Sequence, residues 1–261
     1  MQALTLPASG GWQWLAQGYA LFRRQPAVIG LMVMSYWMSL VVFNVLPIVG
    51  PLLASLVMPG LSVGVMAACR EVDRNRQPAL GVFLQALRDA PGPLMALGAI
   101  YLAYTLLALA LAGLVDGGAL LTAVTAGKPV DPEALEDGRL FFAAQVLLLA
   151  MAPILMAYWY APILVAWHRL SIPKALFFSG IACLRNWRAF LVYGLGLVGV
   201  GAILPGVLLG VLGSLFPGAA GWLASVITLP LLLVLAPTVF ASFYVSYRDV
   251  FVPSAPLSEH A

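Results

Sequence analysis

Charge is scarce in this 261-residue chain: 9% of residues are Asp, Glu, Lys or Arg, against about 25% in a soluble domain. Water is therefore the wrong solvent for most of it. None of the four charged types occurs in residues 25–69, 94–115, 140–167 or 189–247. Cysteine and histidine are as sparse, with two of each, and lysine is confined to Lys128 and Lys174. A catalytic metal site takes about three protein ligands. His168 has only Arg169 beside it and His260 lies in a polar tail, so no metal site is expected. Cys69 and Cys183 fall toward one face of the chain, read below as the reducing cytoplasmic one, where a disulfide is not expected. Metalloprotease and P-loop motifs are missing, and the glycines of 193–213 lie inside an apolar helix, where they cannot cradle a dinucleotide. Nothing supports nucleic-acid binding. The expectation is no catalytic residue, no cofactor and no enzyme.

What the chain has in abundance is apolar length: 62% of residues are hydrophobic, in continuous runs. A span needs about 20 such residues to cross ~30 Å of hydrocarbon. The runs give six transmembrane helices at 26–44, 47–69, 94–115, 140–167, 189–212 and 221–247. Turns fall at "NVLPIVGP" (44–51) and "GSLFPGAAG" (213–221), where Gly and Pro cluster. Continuous apolar runs without alternation exclude a β-barrel. The fold class is an all-α membrane protein, one polytopic domain over 1–261. The first apolar run is too long for a cleaved signal and is expected to stay as an anchor, preceded by a short mobile tail of 11 residues.

Six spans return both termini to one side. That side holds Arg23, Arg24, Arg70, Arg74, Arg76, Arg88, Arg169, Lys174, Arg185, Arg188 and Arg248; the other holds Lys128 and Arg139. Basic residues near span ends stay cytoplasmic, which places both termini in the cytoplasm. Arg23, Arg24, Arg88, Arg185 and Arg188 are expected as topology anchors against anionic headgroups. The lipid bilayer is thus the expected partner, with an unknown membrane protein as a further one. Trp and Tyr mostly gather near span ends, as aromatic belts do. No Asp, Glu, Lys, Arg or His lies well inside a span, which argues against an ion-coupled pump, since such residues mark ion pathways and proton relays.

Three amphipathic stretches precede pairs of spans. Trp12, Leu15, Tyr19 and Phe22 share one helical face; Leu80, Phe83 and Leu87 form the second set; Leu176, Phe177, Leu184 and Trp187 the third. Such segments lie along the membrane interface with polar groups toward water. Ser9 and Ser171 stand where N-caps belong. Pro59 precedes Arg70-Glu71-Val72 by the same eleven positions that separate Pro237 from Arg248-Asp249-Val250. The reading is a weak three-fold repeat of interfacial helix, span, span over about 11–74, 79–169 and 171–250, with 251–261 a flexible tail. This predicts three helical hairpins with three interfacial helices on the cytoplasmic side, and kinks at Pro59, Pro162 and Pro237. Gly206 and Gly210 form a GxxxG pair for helix packing, either within the chain or between two copies. The loop 116–138 is expected to hold a short helix capped by Asp131 with Pro132 at its first position.

The opening segment, with Trp14, Ala16, Tyr19 and the run Leu21–Pro26, and the later "FFSGIACLRNWRAF" (177–190) resemble uncharacterised bacterial inner-membrane proteins of six spans. The resemblance covers nearly the whole chain. It implies the fold and the location, and it carries no activity and no functional residue. Three functions compete: an accessory or scaffold membrane protein, a passive transporter or channel for a small or lipidic solute, and a membrane-embedded enzyme. Convergent carboxylates or histidines in a span, the mark of the last, are missing. Solute, partner and oligomeric state are not readable from residues.

Overall fold

A computed structural model describes residues 3–47, 49–126, 138–216, 218 and 220–251 of the chain. Among these residues the secondary structure is helical, with no strand. The helices are α1 (Gly10–Arg24), α2 (Pro26–Asn44), α3 (Val49–Asp73), α4 (Val82–Asp89), α5 (Pro91–Asp116) and α6 (Ala119–Ala126). They continue with α7 (Arg139–Tyr158), α8 (Ala161–His168), α9 (Ile172–Arg185), α10 (Trp187–Val198), α11 (Leu204–Leu215) and α12 (Ala220–Phe251). A π-helical turn, Gly199–Ile203, joins α10 to α11.

Six stretches are long and apolar enough to cross a membrane: Pro26–Asn44, Val49–Asp73, Pro91–Asp116, Arg139–His168, Trp187–Leu215 and Ala224–Phe251. Each matches one span expected from the apolar runs. Their ends follow from local chemistry. Pro26 and Pro91 open α2 and α5, where a missing N–H costs nothing. Gly117 closes α5 at φ 66°, and the Asp116 carboxylate accepts the N–H groups of Gly118 and Leu120, both at 2.8 Å, turning the chain into α6. The short helix expected at 131–137 and the tail 252–261 lie outside the described residues.

The chain forms two compact units. The first comprises Met1–Trp37, Gly64–Gln85 and Ala182–Ala261, the second Met38–Val63 and Ala86–Ile181. In the first, α1 packs on α10 and α12. Gly11 lies against the backbone of Ala189 and Tyr193, and Gly18 against that of Ser242; any side chain at either position would separate the helices. Trp14 fills the space between, edge-on to Phe190 and Tyr193 at ring distances of 5.2 and 5.8 Å. Tyr193 and Ser242 share a buried hydroxyl–hydroxyl bond of 2.9 Å. In the second unit, α5 crosses α3 with Gly98 against the backbone of Ser55 and Leu56. Beside α7, Tyr104 Oη donates to the Ala150 carbonyl at 2.7 Å.

The faces buried within the protein are built largely from small residues. On α1 the buried stripe is Gly11, Trp14, Leu15, Gly18, Leu21 and Phe22, while Trp12 and Tyr19 are exposed. On α9 the buried residues are Ala175, Ser179, Ala182 and Cys183, while Phe177 and Leu184 face outward. The physical reason is the solvent. Lipid is as apolar as leucine, so small residues that allow close backbone approach take the helix contacts and large apolar side chains remain for the tails. From Gly194 to Phe216 no residue is buried.

Two expectations are corrected. The N-terminal tail is not loose along its described part. Leu4 N–H donates to the Val250 carbonyl at 2.9 Å, and Asn186 brackets the same segment, its Oδ1 accepting Leu6 N–H at 2.8 Å and its Nδ2 donating to Leu4 O at 2.9 Å. Ser9 occupies the N-cap position of α1 without a side-chain capping bond, because its backbone is helical where a capping residue is extended.

Candidate functional site

Side chains that bear chemistry come together in each unit at a place the sequence does not advertise. In the first unit, one arginine of α12 collects its partners from α1, α3 and its own helix. Arg248 Nη1 donates to both carboxylate oxygens of Asp73, at 3.3 and 3.2 Å. Its Nη2 donates to Gln17 Oε1 at 2.6 Å, and Nε and Nη2 both reach Asp249 Oδ1, at 3.0 and 2.9 Å. Tyr244 Oη donates to Asp73 Oδ2 at 3.1 Å, and Arg24 approaches the same carboxylate at 3.9 Å. A guanidinium offers five N–H donors in a fixed fork, and here three of its nitrogens are engaged on three side chains. The cluster ties the ends of three helices together.

The second feature is a repaired break. The fourth span is interrupted at Trp159–Tyr160, between α7 and α8, with Pro162 in the first turn of α8. Proline there has no N–H to continue the helical ladder, so the turn is opened and backbone groups lose their partners. Ser179 of α9, itself fully buried, supplies the repair: its hydroxyl accepts Tyr160 N–H and donates to the Met156 carbonyl, each at 2.9 Å. A hydroxyl that re-satisfies freed backbone is how a bilayer-embedded helix tolerates proline. Tyr101 and Tyr158 lie nearby with ring centroids 4.8 Å apart.

The residues singled out from the sequence fall as follows. Arg24 pairs with Asp73. Arg23 lies over the Tyr19 ring at 5.7 Å, and Arg188 over the Trp187 ring at 5.4 Å. Arg185 Nε donates to Thr5 Oγ1 at 3.2 Å, and Arg88 ends α4. Pro59 and Pro237 lie inside unbroken helices, whereas Pro162 begins a new one; a helical distortion that the sequence reading passed over is the π turn directly before Pro205. Among the described residues, a side chain added at Gly206 or Gly210 would meet nothing within 4 Å. Close backbone approaches between helices occur instead at glycines such as Gly11, Gly18, Gly64 and Gly98.

Cys183 is buried, and desolvation pushes its thiol up to about 12. The string "GLSVG" at 60–64 has the spacing of a serine-nucleophile elbow, yet it lies within α3, and Ser62 Oγ donates to the Pro59 carbonyl at 2.8 Å. An elbow requires a strand-to-helix turn. Among the described residues no three His, Cys, Asp or Glu side chains gather to hold a metal ion.

Sequence missed Asp73, Gln17, Tyr244, Ser179 and Asn186 as organising residues. One signal was available: the Arg-acid-Val ends of the second and sixth spans, which contribute Arg248 and Asp249.

Comparison with known proteins decides the kind of molecule. A probable inner membrane protein of Burkholderia thailandensis is 34% identical over 266 residues, covering 98% of this chain and 97% of that protein. The chain belongs to the same family. No family model matches it, and no solved structure matches it. This member of an inner-membrane family is thus a multi-pass bacterial membrane protein, in accord with its six apolar spans. Its large exposed Leu, Val and Phe side chains are the surface that such a protein gives to lipid.

Proposed function

We propose that this protein is a non-enzymatic accessory or scaffold of the inner membrane, with both termini in the cytoplasm. One observation carries the reading: the polar side chains brought together in each unit are spent on other parts of the chain. Arg248 is occupied by Asp73, Asp249 and Gln17, Ser179 by a broken backbone turn, and Asn186 by the N-terminal segment. A site that handles a substrate keeps polar groups aimed at a cavity; these are aimed at helix ends and backbone. The orientation is supported by the eleven-to-two division of basic residues.

The test is reconstitution. Purified protein in proteoliposomes gives no flux across a broad panel of ions, sugars, amino acids and labelled lipids, while extraction in native nanodiscs returns one membrane partner at fixed stoichiometry. Flux of any solute above that of empty vesicles overturns the reading. A reporter placed in the 116–138 loop reads as periplasmic; a cytoplasmic reading reverses the topology.

A passive transporter is the second reading, favoured by the interruption at Trp159–Tyr160. Discontinuous helices line the substrate sites of many transporters because freed backbone groups bind solute there. The Ser179 hydroxyl already occupies two of those groups, which places this reading second.

A further inference from the structure

We propose that the joint between α9 and α10 is a seat for the headgroup of an anionic phospholipid. The inference rests on membrane insertion and is independent of the accessory reading. Two guanidinium groups flank the joint at Asn186, and each is positioned by a neighbour that carries no charge. Arg185 is held through Nε by Thr5 on the N-terminal segment at 3.2 Å. Arg188 lies on the face of the Trp187 ring at 5.4 Å. Among the described residues neither has a carboxylate within ion-pair distance. The described acids of this unit are taken elsewhere: Glu71 by Arg76 at 2.8 Å, Asp73 and Asp249 by Arg248 at 3.2 and 2.9 Å. Among the described residues, then, these two cations have no counter-ion.

The surface that continues from them is apolar. Trp187, Leu191, Leu195 and Val198 follow at steps of four, four and three along α10, and each is more than half exposed. Such spacing draws one stripe down a helix. Leu184, equally exposed, extends the apolar surface on the α9 side. Guanidinium above indole above aliphatic stripe has the layering of a phospholipid: phosphodiester, interfacial zone and acyl chain.

Planar guanidinium groups match phosphate oxygens through paired N–H donors. A zwitterionic lipid brings its own cation to the site. An anionic one, such as phosphatidylglycerol, leaves both arginines as its compensation. Two arginines near a bilayer surface, at about 1 kcal/mol each, correspond to about a thirtyfold preference for the anionic lipid.

Native mass spectrometry of the full chain tests this, after delipidation in detergent and titration with phosphatidylglycerol or phosphatidylcholine. The wild type binds phosphatidylglycerol about thirtyfold more tightly. The double variant Arg185→Gln, Arg188→Gln brings the two lipids within about twofold of each other, and Arg76→Gln, a change at a guanidinium already paired with Glu71, leaves the preference intact. A wild type without preference, or a double variant that keeps it, overturns the proposal. Should the double variant fail to fold, photoreactive phosphatidylglycerol applied to the wild type decides. Adducts within residues 184–198 support the seat; adducts confined to other segments sink it.

Discussion

The two units are held by different chemistry. The first is closed by side chains that bond across long sequence distances: Arg248 to Asp73 and Gln17, Asn186 to Leu4 and Leu6, Tyr193 to Ser242. It contains eight arginines and, among its described residues, three acids. The second is closed by close helix approach, with Tyr104 and Ser179 bonding to backbone carbonyls. Its charged side chains Asp116 and Arg169 bond to backbone groups. A charge inside an apolar layer is costly, whereas a hydroxyl that satisfies backbone is not.

Glycine substitutions test the helix approach on which both units depend, and carry the largest expected effect. Gly18→Val drives a side chain into the Ser242 backbone and Gly98→Val into that of Ser55, each costing about 3 kcal/mol or more. Both variants lose the monodisperse peak in detergent size-exclusion chromatography, while Gly206→Val, facing open space, keeps it. An intact Gly18→Val peak would show that α1 and α12 are not in register as described.

Next comes the ionic cluster of the first unit. Asp73→Ala removes the acceptor of Arg248 Nη1 and of the Tyr244 hydroxyl and lowers stability by about 2 kcal/mol, read as a lower melting temperature. Asp249→Ala, which leaves the Asp73 contacts in place, has a smaller effect. Equal effects would mean that Arg248, and not Asp73, organises the cluster.

For the second unit, Ser179→Ala leaves Tyr160 N–H and Met156 C=O without their bridge, at about 1–2 kcal/mol. Hydrogen exchange at Tyr160 rises in parallel; an unchanged rate would show that the break needs no repair. Asn186→Ala is the corresponding change in the first unit and is local in outcome. Exchange at Leu4 and Leu6 speeds by about tenfold, equivalent to ~1.4 kcal/mol, with the rest of the chain protected as before.

The smallest effect concerns Cys183. Its folded pKa is raised from 9.0 to about 12 by burial, so the folded protein keeps a proton that the unfolded chain loses. Its contribution to stability is intact below about pH 9 and is lost as pH rises toward 12. Iodoacetamide at pH 8 leaves Cys183 unmodified until the protein is unfolded; rapid labelling of the native protein would contradict its burial.

How much of this was legible follows from which signals are local. The spans were readable because each is an uninterrupted apolar run bounded by charge, and Pro26 and Pro91 mark where two of them begin. The break at Pro162 was readable as a disturbance, though not as a separation into α7 and α8, because that outcome depends on Ser179 arriving from another helix. The packed face of α1 was hidden for a similar reason. A helical wheel gives the apolar face of Trp12 and Tyr19, and only the presence of Ala189, Tyr193 and Ser242 makes Gly11 and Gly18 the contact face. Gly206 and Gly210 show the converse: the GxxxG spacing is present, and no described helix comes close enough to use it.

By itself the sequence determined that this chain lives in lipid, in six helical crossings, since hydropathy and length are summed along the backbone and need no partner. Tertiary structure alone decided which small residues meet, which arginine is neutralised, and how the N-terminal segment is held. Those outcomes turn on distances between residues far apart in the chain, where a shift of one ångström separates contact from clash, and no local pattern encodes them.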